Sequence, residues 1–191
     1  MKRLPLIPTL IVLLAVALMV GLGVWQLRRL AWKEAMIARY QTAMALPVLD
    51  WSQGVPLGTR GDYRRVALHC DKLGAQSEVG GRNAKGQSGW AHWVECLPIS
   101  GSVTVVAGWS RDLAPRVLGP GEVTGYALGG DGGQPLRIVA DPPLGGLEPN
   151  ARPDPRDLPN NHFSYAMQWF LFAATALVIY AIAVWKRGGR P

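Results

Sequence analysis

Two stretches of this chain carry no charge over lengths that a soluble core rarely absorbs. "LIPTLIVLLAVALMVGLGVW" (6–25) lies between Arg3 and Arg28, and "FSYAMQWFLFAATALVIYAIAVW" (163–185) lies between His162 and Lys186. At 1.5 Å rise per residue, about 20 apolar residues cross roughly 30 Å of hydrocarbon, and both runs reach that length. A cleavable signal segment competes for the first run, because Met1–Lys2–Arg3 is a basic start and Ala15–Val16–Ala17 resembles a cleavage site. A signal core spans about 7–15 residues, however, and this run continues to Trp25. An uncleaved anchor fits better. The second run is 23 residues without a charge, which argues against a buried helix of a soluble protein.

The formal charge of +7 invites a nucleic-acid reading, and its distribution removes it. Lys2, Arg3, Lys186, Arg187 and Arg190 lie at the two membrane ends, while residues 28–161 carry fifteen basic against thirteen acidic groups. A nucleic-acid face concentrates basic charge on a domain. Here the excess flanks the spans, where it holds termini in the cytoplasm. Arg28, Arg29, Lys33 and Arg39 close behind the first span pull the other way, but the rule weighs long intervening regions poorly, and this one has 134 residues. Both termini are expected inside, with the four basic residues in need of another role.

Between the spans the pattern changes twice. "QLRRLAWKEAMIARYQTAM" (26–44) has no Pro or Gly and continues the first helix outward, with Leu27, Leu30, Ala31, Ala35 and Ala38 near helical period; Pro47 ends it. From residue 63 the chain reads as strands. "RRVALHC" (64–70) alternates. "GWAHWVECL" (89–97) and "SVTVVAGW" (102–109) form a hairpin across "PISG", and "EVTGYAL" (122–128) and "PLRIVA" (135–140) flank "GGDGG". Six prolines in 142–159 make an extended tether back to the membrane.

The expected fold class is a membrane protein of α+β type: two transmembrane helices flanking a small antiparallel β-sheet, barrel- or sandwich-like, in an extracytoplasmic domain. The boundaries are a cytoplasmic tail 1–3, a first span 4–27, a juxtamembrane helix 28–46, a β domain 47–141, a tether 142–161, a second span 162–185 and a tail 186–191.

The second span opens with "NNHFSYAMQWF" (160–170), where His162, Tyr165 and Trp169 share a helical stripe behind a capping Asn160–Asn161 pair. Interfacial Tyr and Trp are common anchors, which accounts for the aromatics. The histidine is either a polar headgroup residue or a ligand. If both termini are inside, "GVWQLRR" (23–29) lies at the same depth and brings Trp25, Gln26, Arg28 and Arg29 to that level. A haem asks for an axial imidazole, an apolar enclosure and cations for its propionates, and this level offers all three.

"GVWQLRRLAWKEAMI" (23–37), Gly108–Trp109 and "PNNHFSYAMQWF" (159–170) resemble, in order and spacing, the Surfeit locus protein 1 family of cytochrome c oxidase assembly factors. The resemblance implies two membrane helices around a periplasmic or intermembrane-space domain. It also implies haem a handling during maturation of the oxidase large subunit, with His162 as the axial ligand of the haem iron. Tyr165, Trp169, Trp25, Gln26, Arg28 and Arg29 would then line the cofactor. The partners so implied are the large subunit of the oxidase, haem a synthase as a donor, and the lipid bilayer, with no nucleic acid. Ala107 departs from the family, which usually carries Arg before Gly–Trp. A first span starting at residue 4 leaves no room for a mitochondrial transit peptide and favours a bacterial inner membrane.

Cys70 and Cys96 end candidate strands and admit three readings, taken in this order: two buried thiols, a disulfide, or a copper or zinc site with His69 and His92. No enzyme signature appears: no nucleophile elbow, no phosphate loop, and no second histidine placed to serve a serine or cysteine. The rival to a haem-handling factor is a scaffold that docks oxidase subunits without touching haem. A two-span sensor is a third class, but the short tails leave no output domain.

Overall fold

The computed structural model describes residues 5–51, 61–97, 102–114, 116–129 and 136–188. The chain divides into two compact units, Met1–Met36 with Leu158–Pro191, and Ile37–Asp157.

The first unit is a pair of helices. Helix α1 runs Leu6–Met44 without interruption, its last turns belonging to the second unit, and α2 runs His162–Gly188. Both are long and apolar enough to cross a membrane, which fits a membrane protein. Pro8 falls in the first turn of α1, where a missing N–H leaves no helical bond unmade. In α2 the residues withdrawn from solvent recur every three or four positions, among them His162, Ala166, Ala173 and Tyr180. They face a matching stripe on α1. Thr9 and Tyr180 share a hydroxyl–hydroxyl hydrogen bond, and the Phe170 ring occupies the space that a Cβ on Gly23 would fill. Small residues and polar pairs hold such helices together, because lipid supplies no hydrophobic drive between them. The pairings run in opposite sequence order, so the helices are antiparallel.

The second unit is built on a seven-stranded sheet. Its strands are β1 Leu49–Asp50, β2 Arg65–Cys70, β3 Lys72–Arg82, β4 Ser88–Leu97, β5 Val103–Ser110, β6 Gly121–Leu128 and β7 Arg137–Ala140. The spatial order is β1-β2-β6-β7-β5-β4-β3. Both expected hairpins form, β4 with β5 and β6 with β7, each antiparallel.

The expectation of an antiparallel, barrel-like sheet needs correction. The sheet is mixed, because β1 pairs β2 and β7 pairs β5 in parallel, and it does not close, since β1 and β3 remain its edges. The cause is the insertion of β7 between β5 and β6. Strands β5 and β6 run in opposite directions one strand apart, so whichever strand fills the gap must parallel one of them. Strand β3 has no alternating apolar pattern, being rich in Gly, Gln, Ser and charge, and only its pairing with β4 defines it.

Core packing lies on one face. Val66 and Leu68 of β2, Val94 of β4, Val105 of β5 and Ile138 of β7 are all buried there. Cys70 and Cys96 lie in this cluster and are joined as a disulfide, Cα to Cα 5.4 Å apart. This overturns the reading as two free thiols, and with it the metal site. Burial was expected and the bond was the second reading; order alone could not decide for it, because β2 and β4 stand three strands apart in the sheet. Only strong curling brings their inner faces together.

Gly108–Trp109 has a structural explanation. Segment 144–148 lies along β5, with Leu144 N–H donating to Ala107 C=O at 2.8 Å, Trp109 N–H to Glu148 C=O at 2.8 Å, and Glu148 N–H to Trp109 C=O at 3.0 Å. A Cβ on residue 108 would collide with Leu147, so the glycine permits the approach. Trp109 is fully buried and packs over the bare backbone of Gly89. Ala107 sits in the core at a register shift, where His92 opposes Gly108 and Trp93 opposes Val106, leaving Ala107 as the bulged residue. Part of the Pro-rich return is therefore extended and also bonded to the sheet.

Candidate functional site

The helix-pair seam holds the strongest candidate. Asn161 C=O accepts from Tyr165 N–H at 3.2 Å, so α2 begins at His162 and points this imidazole into the seam. Its Nδ1 lies 2.7 Å from Gln26 Oε1 on α1. An amide oxygen can only accept, so Nδ1 carries a proton, and in the neutral ring Nε2 keeps the lone pair. Metal-ligating histidines commonly have this arrangement, with the second nitrogen held by an acceptor that fixes tautomer and ring orientation. The pair spans 136 positions of sequence.

Other residues expected in this site are placed differently around it. Trp169, one heptad after His162, is half-buried and meets Phe172 edge-on at 6.2 Å between ring centroids. Tyr165 and Trp25 are about half exposed. Arg28 and Arg29 are exposed; Arg28 lies on the opposite side of α1 from Gln26, and Arg29 rests over the Trp32 ring at 4.6 Å. The protein itself therefore brings together His162 and Gln26, with Trp169 half-buried on the same stripe and Tyr165, Trp25 and the two arginines exposed around them.

In the sheet unit the structure assembles a constellation that sequence reasoning discounted. His92 Nε2 is 2.7 Å from Ser110 Oγ, and Nδ1 is 3.8 Å from Glu78 Oε1, the residue paired with His92 across strands. Residue types and rough order resemble an acid–histidine–serine triad. Its polarity is reversed. Ser110 Oγ donates to Asp112 C=O at 2.6 Å, so the serine accepts from His92 Nε2–H and has no proton to give to the ring. Both side chains are buried, and the set ties β4 and β5 together beside the bulge. No sequence signal short of the strand register could have revealed it.

His69, the other histidine, pairs with Glu122 at 2.8 Å on the exposed side of β2 and β6. Among the described residues no group of three or more His, Cys, Asp or Glu could hold a metal ion. Tyr40 of α1 stacks on Tyr63 at 4.9 Å and donates to Asp62 Oδ2 at 3.3 Å. Burial, and next the Asp62 carboxylate, push the Tyr63 phenol up from its ordinary range, which keeps it a neutral hydrogen-bond donor.

Among known families, the model of one described as the SURF1 family matches residues 13–174, from within α1 to within α2 and through all seven strands. No curated protein matches the chain.

Proposed function

The chain belongs to the SURF1 family, and from that premise we propose that it is an assembly factor for haem–copper cytochrome c oxidase, binding haem a at the outer membrane interface through His162. The family is associated with cytochrome oxidase assembly and is not a known enzyme class. The observation that carries the haem reading is the bond between Gln26 and His162.

The residues present fit such a cofactor. His162 offers one neutral imidazole nitrogen with its lone pair free, which is what an axial position on iron takes. Haem a, when bound, would supply an iron centre to be carried onward rather than chemistry performed on the spot. Gln26 holds the imidazole in the ligating tautomer, so that no proton must move before ligation. Trp169 and Tyr165 supply apolar wall, and Arg28 and Arg29 supply cations within reach of the membrane surface. In this reading the oxidase large subunit receives the haem and haem a synthase donates it.

The test is the haem absorption spectrum of the protein purified after expression with haem a. A subunit scaffold shows none. Gln26→Leu, which removes the acceptor while keeping the helix, is expected to weaken haem retention by about tenfold, the usual scale for loss of a ligand's supporting partner. Unchanged retention in this variant would remove Gln26 from the site.

Orientation is part of the proposal: both termini cytoplasmic and the sheet unit periplasmic in a bacterial inner membrane. A reporter fused after Pro191 should read cytoplasmic, and one inserted in the "GGDGG" loop (129–133), most of which lies outside the described residues, should read periplasmic. The reverse pattern would put His162 and Gln26 at the inner leaflet and overturn an outer-interface site.

A further inference from the structure

The sheet has a second face, turned away from the core. There Val79, Ala91, Trp93, Val106 and Val139 line a groove of about 400 Å³, and another hollow of about 540 Å³ shares Trp93 as a wall. Three arginines, Arg82, Arg137 and Arg152, stand on the first groove. None has a carboxylate partner among the described residues. Two are stacked on aromatic rings, Arg137 over Trp93 at 5.7 Å and Arg152 over Tyr126 at 4.7 Å, and Arg152 also donates to the Tyr126 hydroxyl. A guanidinium held against an aromatic ring keeps its charge and further N–H donors for a carboxylate. Of the two acids on the rim, Asp154 is already held by Arg156 at 2.6 Å, which keeps its carboxyl below the usual range. Asp157 alone is left to balance three cations.

The groove opens onto β3, an edge of the sheet. At its far end the edge is already extended, because Ala151 N–H donates to Arg82 C=O at 2.8 Å. Upstream, Gln76–Gly80 keeps regular register with β4 and has no strand beside it among the described residues. A Cβ on Gly80 would meet nothing within 4 Å. A long edge without a cover is a template for another strand.

We propose that this face receives an extended acidic segment of a partner protein, which pairs with the β3 edge and continues across the groove with its carboxylates on Arg82, Arg137 and Arg152. In the stretch paired with β3 alternate side chains face the groove near Val79, and the residues that follow cross the Trp93 floor to the arginines. Haem ligation at His162 is not needed for any of this.

The experiment uses the full chain in detergent and short fluorescein-labelled peptides, followed by anisotropy. A peptide of alternating Val and Glu should bind, and one of alternating Val and Lys should not. Arg137→Gln with Arg152→Gln should weaken the acidic peptide by at least about tenfold, since hydrogen bonds to charged groups are at stake. Arg137→Lys, which keeps charge and loses the fork, should weaken it less. Methylating alternate backbone nitrogens of the peptide should also cost at least about tenfold, because strand pairing needs its N–H groups. Equal binding of the Lys peptide, undiminished binding by a double variant of unchanged melting temperature, or tolerance of N-methylation would each overturn the proposal. Detection of a dimer that blocks the acidic peptide would do the same.

Discussion

His162→Ala is expected to abolish or grossly alter the haem spectrum of the purified protein while leaving the protein in the membrane. The helix survives the change, because Ala is the best helix former and the apolar run from Phe163 to Trp185 is untouched. What disappears is Nε2, the imidazole nitrogen with a free lone pair in the seam, together with the hydrogen bond that Nδ1 donates to Gln26 Oε1. Neighbouring substitutions should then fall in an order. Trp169→Ala comes next, through lost enclosure on the His162 stripe. Arg29→Ala follows, where loss of a charge-assisted contact costs about 1.5–3 kcal/mol, and Arg28→Ala is weakest because it lies on the opposite side of α1. A scaffold that merely anchors aromatics in the headgroups predicts no spectral order. An unchanged spectrum in the His162→Ala protein would sink the ligand assignment whatever the arginines do.

Replacing Cys70 and Cys96 together with Ser should lower the stability of the sheet unit by about 3.5 kcal/mol, the loop-closure value for a bridge spanning 26 positions. Two hydroxyls would also be left in an apolar cluster of Val66, Leu68, Val94 and Val103, which adds to the loss. The measurement is the thermal or urea unfolding of the sheet unit, followed by near-ultraviolet circular dichroism with and without reductant. The haem spectrum should be unchanged wherever the variant remains folded, because both cysteines belong to the sheet unit and the proposed site to the helix pair. A folded double variant that has lost haem would show that the disulfide acts on the helix-pair site. Reductant should reproduce the stability loss in the parent protein and have no effect on the variant.

Much of the architecture could be read from residue order. Two uncharged runs long enough to cross the hydrocarbon demand helices there, since a single segment satisfies its own backbone groups inside lipid only as a helix. Alternation at Val66, Leu68 and Cys70 announced a strand, and "PISG" and "GGDGG" announced hairpins, because turn chemistry acts over a few neighbouring residues. "GVWQLRR" and "NNHFSYAMQW" could be identified from order and spacing alone, and the family match bears out that resemblance.

Contacts between distant parts of the chain were decided only by the tertiary structure. Whether β7 would lie between β5 and β6, and so turn an antiparallel expectation into a mixed sheet, depends on which edge is open when the hairpin docks. The disulfide depends on a sheet curl that brings β2 over β4, and His92 reaches Ser110 only through the register of β4 on β5. Gln26 and His162 are the clearest case. Each was legible as a polar residue at a span edge, but their hydrogen bond exists because α1 and α2 pack antiparallel with Gly23 under Phe170 and Thr9 against Tyr180. Periodicity assigns each residue to a face of its own element; which two faces meet is a property of the packed whole.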